Sequence, residues 1–195
     1  VPVRGLAIAA PSAQKLDRFL KFIQEELAPS HFNLLILRID WNYAYESHPE
    51  LRDPNPLTRA DVKKIVEVCR RNHIRIAPQI NLLGHQSWAE TTYALLREYP
   101  EFDETPHIDT RNYSEWPNPY GLYCKSYCPL HPEVHKVVFA LVDELTDVFE
   151  TDLFHAGMDE VFYIGHDSCP RCCGHDKAEL YAGEAVSYTH LTLPT

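Results

Sequence analysis

The sequence predicts an α/β fold, the N-terminal half of a TIM (β/α)8 barrel with about four parallel strands and intervening helices. Three observations carry that expectation. Apolar runs of strand length alternate with stretches of helical periodicity, in the order strand, helix, strand, helix, strand, helix, strand, which joins parallel strands through right-handed crossovers. The run Phe32 to Ile39 is almost continuously apolar, as a strand buried on both faces is. The 195 residues are ample for one core but fall short of the roughly 250 residues and eight strands of a complete barrel, and no segment repeats.

The first strand is the apolar run Val3 to Ala9. Ser12 then stands where a helix cap belongs, and Leu16, Phe19, Leu20, Ile23 and Leu27 recur at helical spacing before Pro29. Phe32 to Ile39 forms the second strand and ends on Asp40, Trp41 and Asn42. Thr58 and Asp61 make a capping-box start for a helix whose stripe is Val62, Ile65, Val66 and Cys69. Ile74 to Ile80 is the third strand; it delivers Gln79, Asn81, Gly84, His85, Gln86 and Trp88 to the same end of the sheet as Asp40 and Trp41. A helix is expected from Trp88 to Glu98. Asp103 to Cys128 has no periodicity, and a loop this long in a compact domain usually carries function; Tyr113, Trp116, Tyr120, Tyr123 and Tyr127 lie in it. Pro132 opens a strong helix with Val134, Val137, Val138, Leu141, Val142, Leu145, Val148 and Phe149 on one face. It feeds the fourth strand and the carboxylate pair that follows where that strand would end, Asp159 and Glu160.

Composition narrows the function. A formal net charge of -10 makes nucleic acid and anionic membrane surfaces poor partners and leaves a neutral substrate such as a sugar compatible. No run of 18 or more apolar residues is present to span a membrane. The chain opens on Val1-Pro2-Val3, without Met or a signal-like segment, as if cut from something longer. Val186 to Thr195 lacks continuity with what precedes it and resembles the in-frame translation of a sequencing-library adapter. Residues 1–185 are therefore read as the partial domain and 186–195 as a non-native tail.

The organising stretch is Leu153-Phe154-His155-Ala156-Gly157-Met158-Asp159-Glu160-Val161. In a β/α barrel the chemistry sits at the C-terminal ends of the strands, so adjacent carboxylates there read as catalytic. An arbitrary Asp-Glu pair is more often a solvated turn. Here Phe154, Met158, Val161, Phe162 and Tyr163 flank it, an apolar setting in which a carboxyl group keeps its proton and can act as an acid.

From Arg4 to Gly165 the chain resembles the catalytic domain of glycoside hydrolase family 20, the β-N-acetylhexosaminidases. Arg4-Gly5-Leu6 is similar to the family's opening strand, and Leu57 to Val66 to its helix after strand two. Pro78 to His85, PQINLLGH, is similar to its P-E-I-D-x-P-G-H, and His155 to Val161, HAGMDEV, to its H-x-G-G-D-E-V. The resemblance implies that Glu160 is the general acid and that Asp159 orients the substrate's 2-acetamido group, whose carbonyl oxygen is the nucleophile. It implies His85 and His155 as histidines bracing the acid, each against the bland reading of a satisfied core histidine. Arg4 and Asn81 fall among the substrate-binding or supporting residues. Trp41 and Trp88, with Trp116, stand where a sugar's apolar face could stack, ordinary core packing being the alternative. The resemblance also implies an oligosaccharide or glycoconjugate substrate, no cofactor, and a location outside the cytoplasm.

The chain departs from the family pattern. Gln79 and Asn81 replace the carboxylates of the third-strand motif, and Met158 replaces the second Gly of the fourth. Ala9 to Ala13 stands where the family usually has an Asp and a substrate-gripping Arg, and Arg38 stands near a family histidine. These changes leave open a catalytically silent carbohydrate-binding relative, or a glycosidase of different sugar specificity.

A second chemical signal is Cys169-Pro170-Arg171-Cys172-Cys173-Gly174-His175. The C-x-x-C with a nearby histidine has zinc-ligand spacing, with Cys169, Cys172, Cys173 and His175 as the candidate structural set. His166 could also be drawn in, and Cys124 and Cys128 could supply a second pair. Structural zinc, disulfides and free thiols all remain open readings, and a zinc-dependent module is a further reading of the chain.

Overall fold

Three short strands in parallel build the sheet: β1 (Gly5–Ala9), β2 (Leu34–Arg38) and β3 (Arg75–Gln79), in the order β1-β2-β3. The register pairs Gly5 with Leu34 and Leu34 with Arg75, so Ala9, Arg38 and Gln79 line up at the C-terminal edge. This computed structural model describes residues 2–88, 90–109 and 124–189. Tyr113, Trp116, Tyr120 and Tyr123 lie outside the described residues.

The chain divides into two units, Val1–Ile80 with Ala140–His155, and Asn81–Phe139 with Ala156–Thr195. The first holds the sheet and its crossover helices. Helix α1 (Leu16–Phe22) runs on into a π-helical turn, Ile23–Leu27, and buries Leu16, Phe19, Ile23 and Leu27 as its spacing predicts. Ser12 does precede this helical segment, but its side chain makes no capping bond. Helix α2 (Arg59–Arg71) starts on the expected capping box, with Thr58 and Asp61 each accepting from the other's backbone N–H. It buries Val62, Ile65, Val66 and Cys69. The segment from Ala140 is the second half of α4 (Val134–Phe149), where Leu141, Val142, Leu145 and Phe149 are buried.

The fourth strand is the main departure within this unit. Only one parallel bridge forms, Gln79 to His155, held by the His155 N–H donating to Pro78 at 2.9 Å. Glu150 and Gly157 both have positive φ, 51° and 54°. An extended ladder cannot run through either, which confines any pairing to residues 151–156.

In the second unit, Ser87–Trp88 (β4) and Thr91–Thr92 (β5) pair as an antiparallel hairpin. The helix expected from Trp88 is therefore confined to α3 (Ala94–Glu98). Two consecutive β-branched threonines favour the pleated pairing over a helical turn. Asp103 bridges Tyr127 in antiparallel fashion, and a buried Lys125–Asp103 ion pair ties the same two segments. Helix α5 (Lys177–Thr189) turns Leu180 and Glu184 inward; Glu184 accepts from Tyr127 and Tyr188 and pairs with His135. Among the described residues no helix is long and apolar enough to cross a membrane.

Candidate active site

The second unit brings the carboxylate pair against one imidazole. His85 Nε2 lies 3.5 Å from Asp159 Oδ2 and 3.3 Å from Glu160 Oε2. Both separations are slightly longer than an ordinary N–H···O hydrogen bond, as catalytic contacts often are before substrate binds. The His85 side chain is 14% exposed, whereas Asp159 and Glu160 are 68% and 49% exposed. The apolar enclosure expected from Phe154, Met158, Val161, Phe162 and Tyr163 is thus absent: Phe162 is itself exposed, and the carboxylates face solvent.

Backbone geometry sets this arrangement. Leu83 and His85 have φ of 61° and 54°, Gly157 54° and Glu160 52°. Side chains seldom occupy that left-handed region, and such residues cluster at functional sites. Gly84 sits between two of them because nothing larger fits: a Cβ there would stand 3.0 Å from the Asp159 carbonyl oxygen and 3.3 Å from that of Glu160. The approach is pinned by Leu82 N–H donating to Ala156 O at 2.9 Å. The Cys124 thiol donates to Glu160 O at 3.3 Å, and the Tyr181 hydroxyl to Met158 O at 2.9 Å. Burial pushes the Cys124 thiol up to about 11, with the nearby Glu160 and Asp159 charges adding to it. That sulfur stays a neutral donor near neutral pH. Gln86, fully buried, crosses the loop with its Nε2 donating to Asn81 O at 2.8 Å and Gly84 O at 2.9 Å.

The other expected residues divide between the units. Asn81 and Trp88 belong to the second, Asn81 as the backbone acceptor for Gln86, Trp88 on the hairpin with 46% of its surface exposed. Arg4, Trp41 and His155 belong to the first. Arg4 precedes β1 at the N-terminal edge of the sheet, where its N–H donates to Asn33 Oδ1 and its guanidinium to Ser30 O, both at 2.8 Å. That is the edge opposite Ala9, Arg38 and Gln79, so its observed work is to hold the entry to β2. Trp41 is buried beyond the C-terminal end of β2, with its carbonyl accepting from Asp53 N–H at 2.8 Å. This is the core-packing reading of that residue. Cys124 and Tyr181 had no sequence signal: each reaches the carboxylate segment from a distant point in the chain.

The cysteines assemble differently from their motif. Cys169 and Cys172 are buried, but Cys173 is exposed, and neither it nor His175 joins them. The partners are Cys128, 3.2 Å from Cys172 and 3.5 Å from Cys169 sulfur to sulfur, and Glu104. Adjacency in sequence misled because Cys173 continues the turn away from the side its neighbours share.

Comparison with known proteins gives consistent results. The sequence model of "Glycosyl hydrolase family 20, catalytic domain" matches residues 40–185. A β-hexosaminidase of Akkermansia muciniphila is 31% identical over 115 residues, 59% of this chain and 21% of that protein. The structure of a Flavobacterium johnsoniae chitobiase superposes with TM-score 0.62 at 26% identity, covering 82% of this chain and 24% of that one. A Bacteroides fragilis β-N-acetylhexosaminidase superposes with TM-score 0.70 at 16% identity, covering 95% and 38%. These neighbours give the α/β chain a TIM-barrel-type fold. The chain spans 21–28% of the length of the curated relatives it matches.

Proposed function

The chain belongs to glycosyl hydrolase family 20, and from that membership we propose that the enzyme it forms part of releases terminal β-linked N-acetylhexosamine by a substrate-assisted, retaining mechanism. In this reading the chain supplies the N-terminal half of a TIM barrel, four of its eight strands, with Leu153 to His155 as the fourth. In the same reading residues 186–195 are a non-native tail: the family match stops at residue 185, although α5 itself continues to Thr189. The family resemblance also supports a location outside the cytoplasm and an oligosaccharide or glycoconjugate substrate.

One observation carries the mechanism: His85 Nε2 stands within 3.5 Å of both Asp159 and Glu160. Glu160 protonates the glycosidic oxygen as the bond to the anomeric carbon breaks, while the 2-acetamido carbonyl oxygen attacks that carbon from the opposite face. Asp159 accepts from the acetamido N–H and orients the group. Water then opens the cyclised sugar, giving its proton to the Glu160 carboxylate, and two inversions leave the β configuration retained.

The test compares an aryl N-acetyl-β-glucosaminide with the matching aryl β-glucoside, on enzyme made from the full reading frame, with NMR to identify the first anomer released. Turnover confined to the acetamido substrate, with the β anomer first, is expected. Equal turnover of both would replace this reading by a different sugar specificity. Binding without turnover would favour the silent carbohydrate-binding relative, which Gln79, Asn81 and Met158 motivate.

A further inference from the structure

The second unit contains a buried cluster that the proposed hydrolysis does not use. Cys169 and Cys172 occupy one tight turn: the Cys172 N–H points at Cys169 Sγ, 3.5 Å away, and the Cys173 N–H donates to Cys169 O at 3.1 Å. The Cys128 sulfur meets both, at 3.5 and 3.2 Å. Glu104 completes the group. Its Oε1 accepts from the His166 N–H at 2.9 Å, whereas its Oε2 is buried with no N–H or O–H donor among the described residues and faces only the Cys169 and Cys172 thiols. One donor atom from each of the four residues lies within 4.8 Å of every other, and all four side chains are buried.

A buried carboxylate oxygen met only by thiols, which are weak donors, is poorly compensated, and a cation held by the same atoms would compensate it. A tetrahedral ion with metal–sulfur bonds of about 2.3 Å needs donors about 3.8 Å apart, which small side-chain shifts from the observed separations supply. Three sulfurs and one oxygen suit a thiophilic divalent ion rather than calcium or magnesium.

We propose that Glu104, Cys128, Cys169 and Cys172 form a structural zinc site. The thiols bind as thiolates, their protons passing to solvent. Glu104 and Cys128 lie in the two described segments 90–109 and 124–189, so the ion fastens both to the Cys169–Cys172 turn. Cys173 and His175 are not ligands.

The test purifies the full chain without chelator, measures bound metal by plasma mass spectrometry, and titrates Co2+ into the metal-free protein. The expected result is one zinc per chain, and a cobalt spectrum with thiolate charge-transfer and tetrahedral d–d bands. Cys173→Ser keeps both. Cys128→Ser weakens Co2+ binding by at least about 100-fold, since removing even an outer support of a metal site costs 10–100-fold; Glu104→Gln weakens it in the same direction. The wild-type and Cys173→Ser spectra decide the matter even if a core variant fails to fold. A disulfide linking any two of Cys128, Cys169 and Cys172 by peptide mapping, six free thiols with no cobalt band, or loss of the band in Cys173→Ser would overturn the proposal.

Discussion

A Cβ on Gly84 would stand 3.0 Å from the carbonyl oxygen of Asp159. The obstacle is backbone, which cannot swing aside as a flexible side chain can, so the third-strand loop and the carboxylate segment approach this closely only because residue 84 is glycine. Gly84→Ala forces one of them to move. It is expected to destabilise the fold by about 1–3 kcal/mol, seen as a lower Tm, and to reduce kcat far more than it raises KM. A variant with unchanged Tm and kcat would show that the approach is not needed.

His85 reaches both carboxylates, at 3.5 and 3.3 Å, and acts on the substrate only through them, which makes it a positioning residue. His85→Ala removes the imidazole that reaches both carboxylates. Loss of a hydrogen bond to a charged group is worth about 1.5–3 kcal/mol, so kcat falls roughly 10- to 100-fold. The pH profile of kcat/KM should also change shape. A uniform loss with an unaltered profile would assign His85 a merely structural part.

The thiols should differ in reactivity. Burial pushes Cys69 up to about 12 and Cys124 up to about 11, so neither offers appreciable thiolate at neutral pH, and both are shielded. Iodoacetamide at pH 7.5 is expected to label the exposed Cys173 first and to leave Cys69 and Cys124 untouched until the chain is unfolded. Rapid labelling of Cys124 in the folded protein would contradict its place beneath Glu160.

Lys125 and Asp103 form a buried pair, their side chains 5% and 10% exposed, and Lys125 also donates to Thr105 O at 2.9 Å. Lys125→Met leaves Asp103 charged and unpaired, an effect worth about 3–5 kcal/mol. Denaturant unfolding should show that loss, and the double variant Lys125→Met with Asp103→Leu should recover much of it. Full stability in the single variant would mean the pair contributes nothing.

Local signals in the sequence translated well. The continuous apolar run FNLLILRI became β2, and Thr58 with Asp61 became a capping box, because each depends on neighbours a few residues away. Sequence order failed where the backbone turns sharply. The expected fourth strand is a single bridge, Gln79 to His155, that ends before the positive φ of Gly157, and the hairpin at Ser87–Thr92 displaced the start of a helix. The site shows the same division. His85, Asp159 and Glu160 were legible and do converge, but the exposure of the carboxylates, the Cys124 contact and the part of Glu104 in the thiol cluster depend on residues brought from 24 or more positions away.

The measurement that tests the central claim most directly is the leaving-group dependence of Glu160→Gln in the full-length enzyme. An acid that protonates the departing oxygen matters most when that oxygen is basic. The variant should lose about 10²- to 10⁴-fold in kcat/KM on an alkyl N-acetyl-β-glucosaminide and much less on one whose leaving group is a strongly acidic phenol. Equal losses on both substrates, or no loss on either, would contradict Glu160 as the general acid.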